Sequence, residues 1–286
     1  MKRRPPAVTI EWRDFEKTNM TNPRKYGTAP YSVAVIHGGP GAPGDAAPIA
    51  KQLSSHCGIL EPLQTESTIG GQINELHSLL EQNRKLPMTL IGHSWGATLS
   101  FLFAARFPDL VRNLTLIACP PFEDSYVPAI METRLNRLDI NGRKQLYRLI
   151  EALNNSEGKD RDSALSHLGA FMDQVDSFDP LPGGEGDEPP GCQAAIFQAI
   201  LSELKELRQS GALLASAKRI QCPVVIIHGD HDPHPAEGVE KPLAPFINNF
   251  RFIQLSQCGH KPWHESQARD KFFEVLIESI AKAGGK

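Results

Sequence analysis

Val33-Ala34-Val35-Ile36, Met88-Thr89-Leu90-Ile91 and Val224-Val225-Ile226-Ile227 are near-continuous apolar runs rather than alternating ones. Strands of a parallel sheet, buried on both faces by helices, read this way. The pattern predicts strands at 7–12, 31–37, 57–61, 87–92, 112–118, 222–228 and 250–256. Helical periodicity falls between them at 69–83, 95–107, 237–247 and 264–282. Strands alternating with helices predict an α/β class with a mostly parallel, doubly wound sheet.

The alternation stops between about 121 and 219. This stretch opens at Pro120-Pro121 and carries amphipathic patterns near 127–139, 143–155, 161–177 and 192–210, with a Pro- and Gly-rich loop at 179–191. It reads as an inserted helical cap, 121–219, on a core made of 1–120 and 220–286. The insert holds 11 basic and 16 acidic residues, and six of the acids, with no base, fall in 173–188. A solvated loop accounts for such a run; an amine-attracting rim is the sharper alternative.

Composition narrows the function classes. With 286 residues there is enough chain for one large core or two modest ones. Thirty basic and 33 acidic residues give a net charge of −3. No basic excess is left for a nucleic-acid backbone. No run approaches the ~18 apolar residues of a membrane span. Met1-Lys2-Arg3-Arg4 has the charge of a signal-peptide start, but Pro5-Pro6, Glu11, Arg13 and Asp14 break any apolar segment behind it. The five cysteines (57, 119, 192, 222, 258) are scattered, with no C-x-x-C pair. A cytoplasmic protein with reduced thiols, binding neither nucleic acid nor membrane, is expected.

The sharpest chemical signal is Gly92-His93-Ser94-Trp95-Gly96, a G-x-S-x-G directly after an apolar strand and directly before a helix. In that context the serine sits on a strained turn that projects its Oγ from the strand end. His37-Gly38-Gly39-Pro40-Gly41 follows the 31–37 strand, and its backbone N–H groups, with that of Trp95, suit a developing oxyanion. The loop fits neither a dinucleotide fingerprint nor a P-loop. An acid and a base are expected downstream. Gly259-His260 ends the 250–256 strand. Asp232 and Asp230 compete for the acid in His228-Gly229-Asp230-His231-Asp232-Pro233. Asp232 is preferred, being deeper in the turn, and Asp230 is read as a turn former. The same His/Asp density, with His234, raises a metal reading, but alternate residues of one extended segment point opposite ways. No metal is expected. His37 and His93 are read as orienting backbone, Trp12 and Trp263 as packing, and His56, His77, His167 and His264 as surface, His264 opening the last helix.

Taken together, Ser94, the 37–41 loop, the 230–233 turn and Gly259-His260 resemble the α/β-hydrolase superfamily over about 30–120 and 220–282. His-Gly-Gly-Pro-Gly paired with Gly-His-Ser-Trp-Gly is similar to the proline iminopeptidase group. The resemblance implies Ser94 as nucleophile, Asp232 as acid, His260 as base, Gly39 and Trp95 as oxyanion donors, and 121–219 as the cap. It implies a cofactor-free serine hydrolase acting on a small-molecule or short-peptide substrate. After the 57–61 strand, however, Glu61-Pro62-Leu63-Gln64-Thr65-Glu66-Ser67 replaces the Asp-Gln-Arg-Gly-like segment of that group. A small ester, thioester or amide is therefore ranked ahead of N-terminal prolyl peptides. C–C bond hydrolysis or acyl transfer on the same three residues, and a non-catalytic binding protein on the same fold, are the alternatives.

Overall fold

The computed structural model describes residues 21–83, 86–182 and 191–281. The strand expected at 7–12 lies outside them. Among the described residues seven strands form one sheet: β1 (Arg24–Tyr26), β2 (Tyr31–Ile36), β3 (Gly58–Glu61), β4 (Met88–His93), β5 (Val111–Ile117), β6 (Val224–Gly229) and β7 (Phe250–Leu255). Their order is β1-β3-β2-β4-β5-β6-β7, and every pairing is parallel except β1 with β3. The chain leaves β2 for β3 on one side and then crosses back to β4 on the other. That reversal is a topological switch point, where loops leaving the strand ends separate and open a crevice. The loops after β2 and β4 are those carrying His37–Gly41 and Ser94.

Both faces of the sheet are covered. Helix α1 (Ala47–Leu53) and the last helix α10 (Arg269–Ala281) pack on one face with Val33, Val35, Ile91, Ile117 and Ile227. Helices α2 (Ile69–Gln82) and α3 (Trp95–Arg106) pack on the other with Ala34, Ile36, Leu90, Leu116 and Ile226. Consecutive residues of β2, β4 and β6 thus go to opposite cores, which is why those segments are apolar throughout. β1 and α1 were not foreseen. β1 is a three-residue polar edge strand, and α1 reads APIAKQL, too short and Pro-bearing for a clear helical period.

Between β5 and β6 the chain inserts α4 (Val127–Arg137), α5 (Ile140–Asn155), α6 (Gly158–Asp176), α7 (Ala194–Gln209) and the short α8 (Ala212–Ala215). The Asp139 side chain accepts the Gly142 N–H at 2.7 Å and caps α5, so that helix starts three residues before the expected position. Helix α9 (Glu237–Leu243) ends earlier than expected: Ala244 still donates to the Glu240 carbonyl, but Pro245 has no N–H to extend the ladder. His264 does not open the last helix: it lies in a 3-10 turn, Pro262–His264, and α10 begins at Arg269. The intervening Glu265 turns back to accept the Gly259 N–H at 2.9 Å. Among the described residues no helix is long and apolar enough to cross a membrane.

Candidate active site

Ser94 follows β4 directly and stands before the first turn of α3, with φ 51° and ψ −117°. A non-glycine residue there costs on the order of 1–3 kcal/mol and persists only where its surroundings over-determine it. They do so here. The Ser94 N–H is tied to the Ile117 carbonyl at 2.9 Å. The backbone passes so close to β2 that a Cβ on Gly96 would lie 2.3 Å from the Ile36 oxygen. Only glycine fits that crossing.

The Ser94 Oγ lies 3.0 Å from His260 Nε2, and His260 Nδ1 lies 2.9 Å from Asp232 Oδ2. An ionised carboxylate only accepts, so His260 carries its proton on Nδ1 and offers the Nε2 lone pair to the serine hydroxyl. Asp232 is fully buried at its side chain. Burial alone would raise its pKa, but the imidazoles of His260, His234 and His228 hold it well below the usual carboxylate range. Burial likewise works against a charged His260, yet the Asp232 carboxylate more than offsets this and leaves the imidazole above its ordinary value. Asp230 stands apart: its Oδ1 accepts the Cys258 N–H at 3.2 Å. It braces the loop leading to His260 rather than its own turn.

The 37–41 loop is braced from three sides. Gly38 N–H donates to Asp45 Oδ1 at 3.0 Å, and Asp45 Oδ2 faces His93 Nδ1 at 3.2 Å. His37 donates from Nδ1 to the Gly38 carbonyl at 2.8 Å, while its Nε2 accepts the Gln64 N–H at 3.2 Å. Burial drives His37 below its ordinary pKa, in keeping with a neutral ring. The Gln64 side chain donates to the His37 carbonyl at 3.0 Å. The segment that departs from the proline iminopeptidase pattern therefore supplies a strut for this loop. Gly39 sits at φ 53°. Among the described residues its N–H and that of Trp95, at the start of α3, meet no protein acceptor. The Trp95 indole donates to Gln72 Oε1 at 2.9 Å, which fixes the ring away from the serine. His93 donates from Nε2 to the His260 carbonyl at 3.0 Å and packs against the edge of Trp263.

Several residues around this line have roles that sequence reasoning did not assign, His228 and His234 having been read only for a metal. His234 donates to Asp232 Oδ1 from Nδ1 at 2.8 Å and from its backbone N–H at 2.9 Å. His228 donates from Nε2 to the His234 carbonyl at 2.8 Å. The insert reaches the site through α6: the Asp176 carbonyl accepts the His260 N–H at 3.0 Å, and its carboxylate is paired with Arg134, whose Nε lies 2.9 Å away. Glu265 accepts the N–H groups of Phe178, Asp179 and Gly259 at 2.9, 2.8 and 2.9 Å. Nothing in the local sequence marks the Arg134, Asp176 and Glu265 contacts with the segments 42 to 87 residues away, whereas His228 and His234 lie in the dense His/Asp turn beside Asp232. Asp232, His234 and His260 offer ligand atoms within 4.8 Å of one another, the one group among the described residues that could hold a metal ion. The expected obstacle to a metal is thus partly removed, because His260 arrives from a second segment. Each of those atoms is nevertheless engaged in a proton-bearing hydrogen bond.

Comparison with known proteins agrees with this architecture. A family model described as alpha/beta hydrolase fold matches residues 64–266. The chain is 27% identical over 214 residues to pimeloyl-(acyl-carrier protein) methyl ester esterase of Chromobacterium violaceum, covering 71% of this chain and 73% of that protein. It is 23% identical to monoacylglycerol lipase ABHD6 of Rattus norvegicus over 74% of this chain, and it spans 61% of that protein's length. Among solved structures, VinJ superposes with a TM-score of 0.65 at 20% identity, covering 91% of this chain and 94% of VinJ. The enol-lactonase from Burkholderia xenovorans LB400 superposes with 0.57 at 16% identity, covering 91% of this chain and 96% of the enzyme. With its seven-stranded sheet and a family match spanning most of its length, the chain belongs to the alpha/beta hydrolase fold family.

Proposed function

We propose that the protein is a serine hydrolase that cleaves a small carboxylic ester, thioester or amide through an acyl-enzyme on Ser94. The reading is carried by one observation, the hydrogen-bonded line from Ser94 Oγ to His260 to a buried, ionised Asp232. His260 takes the hydroxyl proton as Oγ attacks the carbonyl carbon, and Asp232 stabilises the imidazolium that forms. The N–H groups of Gly39 and Trp95 receive the negative charge on the carbonyl oxygen; a donor of this type is worth about 10²–10³ in turnover. Collapse of the tetrahedral species expels the leaving group, which takes the proton from His260. Water then repeats the sequence on the acyl group and restores Ser94.

The inserted helices act as a cap, since α6 and the chain behind it bond to the His260 loop. Their chemistry favours a neutral substrate. An amine-binding rim needs free carboxylates, whereas the described acids of 173–179 are engaged: Asp173 by Lys261, Asp176 by Arg134 and Asp179 by Ser266. The esterase and lipase names of the relatives point the same way. Five free cysteines suit a reducing, cytoplasmic compartment.

The test is a panel of p-nitrophenyl esters, a prolyl p-nitroanilide and a vinylogous diketone, run on the wild type and Ser94→Ala. Short esters are expected to turn over fastest, and the variant to lose on the order of 10⁴–10⁶ in kcat. Preference for the prolyl amide or the diketone would replace the ester reading, and an active Ser94→Ala would remove the nucleophile.

A further inference from the structure

Asp232 is held by more imidazole than the proposed reaction requires. Its two oxygens divide the work. Oδ2 takes the Nδ1–H of His260 at 2.9 Å; Oδ1 takes two donors from one residue, the His234 backbone N–H at 2.9 Å and side-chain Nδ1–H at 2.8 Å. The two rings lie nearly parallel, with centroids 4.6 Å apart and planes at 26°. His228, buried beneath, fixes the turn by donating to the His234 carbonyl at 2.8 Å, and its Nε2 stays 3.7 Å from Asp232 Oδ2, too far to compete with His260.

We propose that His234 is a positioning residue: it occupies Oδ1 of Asp232 and flanks the His260 ring, so that Oδ2 and the imidazole of the base stay in register with Ser94. The reasoning is geometric. A carboxylate can rotate about its Cβ–Cγ bond and exchange oxygens. Two donors converging on one oxygen from a rigid turn remove that freedom, leaving the second oxygen for His260 alone. The stacked ring limits tilting of His260 about its own χ2. Misplacing a reacting group by an ångström costs up to ~10²-fold in rate. His234 performs this as a neutral ring with its proton on Nδ1, because burial pushes its pKa down to about 4 against the pull of Asp232. This role rests on the Ser94–His260–Asp232 reading given above.

Two substitutions separate the donor from the ring. His234→Phe keeps the stacked ring and loses the side-chain donor. His234→Asn loses the ring but places its Nδ2–H₂ where Nδ1–H stood. We expect His234→Phe to lower kcat on a p-nitrophenyl ester about 10- to 100-fold with KM unchanged within twofold, and His234→Asn to recover most of the loss. The second readout is low-field proton NMR of the ¹⁵N-histidine-labelled protein without substrate. Besides the Nδ1–H of His37 on the Gly38 carbonyl, which no variant touches, the wild type should show two hydrogen-bonded Nδ1–H resonances at Asp232, from His234 and His260. His234→Asn should lose the first and keep the second in place, while His234→Phe should lose the first and shift or broaden the second. A His234→Phe enzyme with kcat within twofold of wild type and an unmoved His260 resonance would overturn the proposal. Equal loss in both variants would overturn the role of the donor. The resonances need no turnover, so they decide the positioning claim even if no ester proves to be a substrate.

Discussion

Helix α3 and the inserted helices α4 and α5 are built on opposite principles. In α3 every residue from Trp95 to Ala105 is buried, whereas α4 buries none of its 11 residues and α5 only Leu146 and Leu153 of 16. α3 is clamped between β2, β4, β5 and the flanking core, so the serine at its N-terminus inherits the rigidity of the sheet. Within the insert, α7 joins the core beside α3 through Ile196, Ile200 and Leu204, but α4 and α6 are held near the site by polar bonds: Arg134 to Asp176, Arg137 to the His231 carbonyl, and Glu265 to Phe178 and Asp179. All three converge on the loops bearing Asp232 and His260. Ser94 is thus fixed by packing, while His260 is fixed where the two regions meet. Packing tolerates little change at any point, whereas a polar seam can be opened one bond at a time.

The largest effect should come from Asp232. Asp232→Asn presents an amide that favours the wrong imidazole tautomer, and the equivalent change in a serine protease costs about 10⁴ in turnover. Asp230→Asn keeps an oxygen able to accept the Cys258 N–H and should stay within about threefold of wild type. Comparing kcat of the two variants on one ester checks the assignment. Equal losses would mean that the seam, rather than the carboxylate on His260, is what matters.

Next comes the packed region. Gly96→Ala places a Cβ 2.3 and 2.4 Å from the Ile36 and His37 backbone oxygens, neither of which can yield without moving β2. A loss of roughly 3 kcal/mol or more is expected from urea denaturation. Glu265→Gln opens the seam instead. One of three backbone donors then faces an amide N–H₂, and the bonds lose their charge-assisted strength, for about 2–3 kcal/mol. In this variant kcat should fall as well, since Gly259 directly precedes His260, whereas substitutions on the outer face of α5 should do neither. Ile140→Ser, at a side chain 74% exposed, should change stability by less than about 0.5 kcal/mol.

Titration offers a finer check. Because Asp232 raises the pKa of His260, kcat/KM should fall with decreasing pH through a midpoint above the ordinary histidine value of about 6.5. Protonation removes the lone pair that accepts the serine proton, so activity is lost on the acid side. In Asp232→Asn the raising charge is gone, and the residual activity should show its acid limb at lower pH. A limb that does not move would separate the His260 titration from Asp232.

The two regions also differed in how far their sequences could be read. The β2, β4 and β6 runs are apolar at consecutive positions because alternate residues enter different cores, and that continuity placed Ser94, the 37–41 loop and the 228–233 turn at the carboxyl ends of the strands. The insert gave its helices by periodicity, but not its contacts. Asp176, Arg134 and Glu265 act by meeting partners 42 to 87 residues away, and no local pattern records such a meeting. His234 was visible only as one of several histidines in a dense turn, read for a metal, because the role of its Nδ1 depends on which way a buried carboxylate points. β1 escaped because a three-residue polar edge strand has no period to detect.

The central claim is that Ser94 is a nucleophile activated by His260. It is tested most directly by incubating the protein with a fluorophosphonate and locating the adduct by peptide mass spectrometry. The account predicts a single stoichiometric adduct on Ser94, formed much more slowly in His260→Ala and absent in Ser94→Ala. An unlabelled wild-type protein that is folded, or an adduct on another serine that persists in Ser94→Ala, would contradict it.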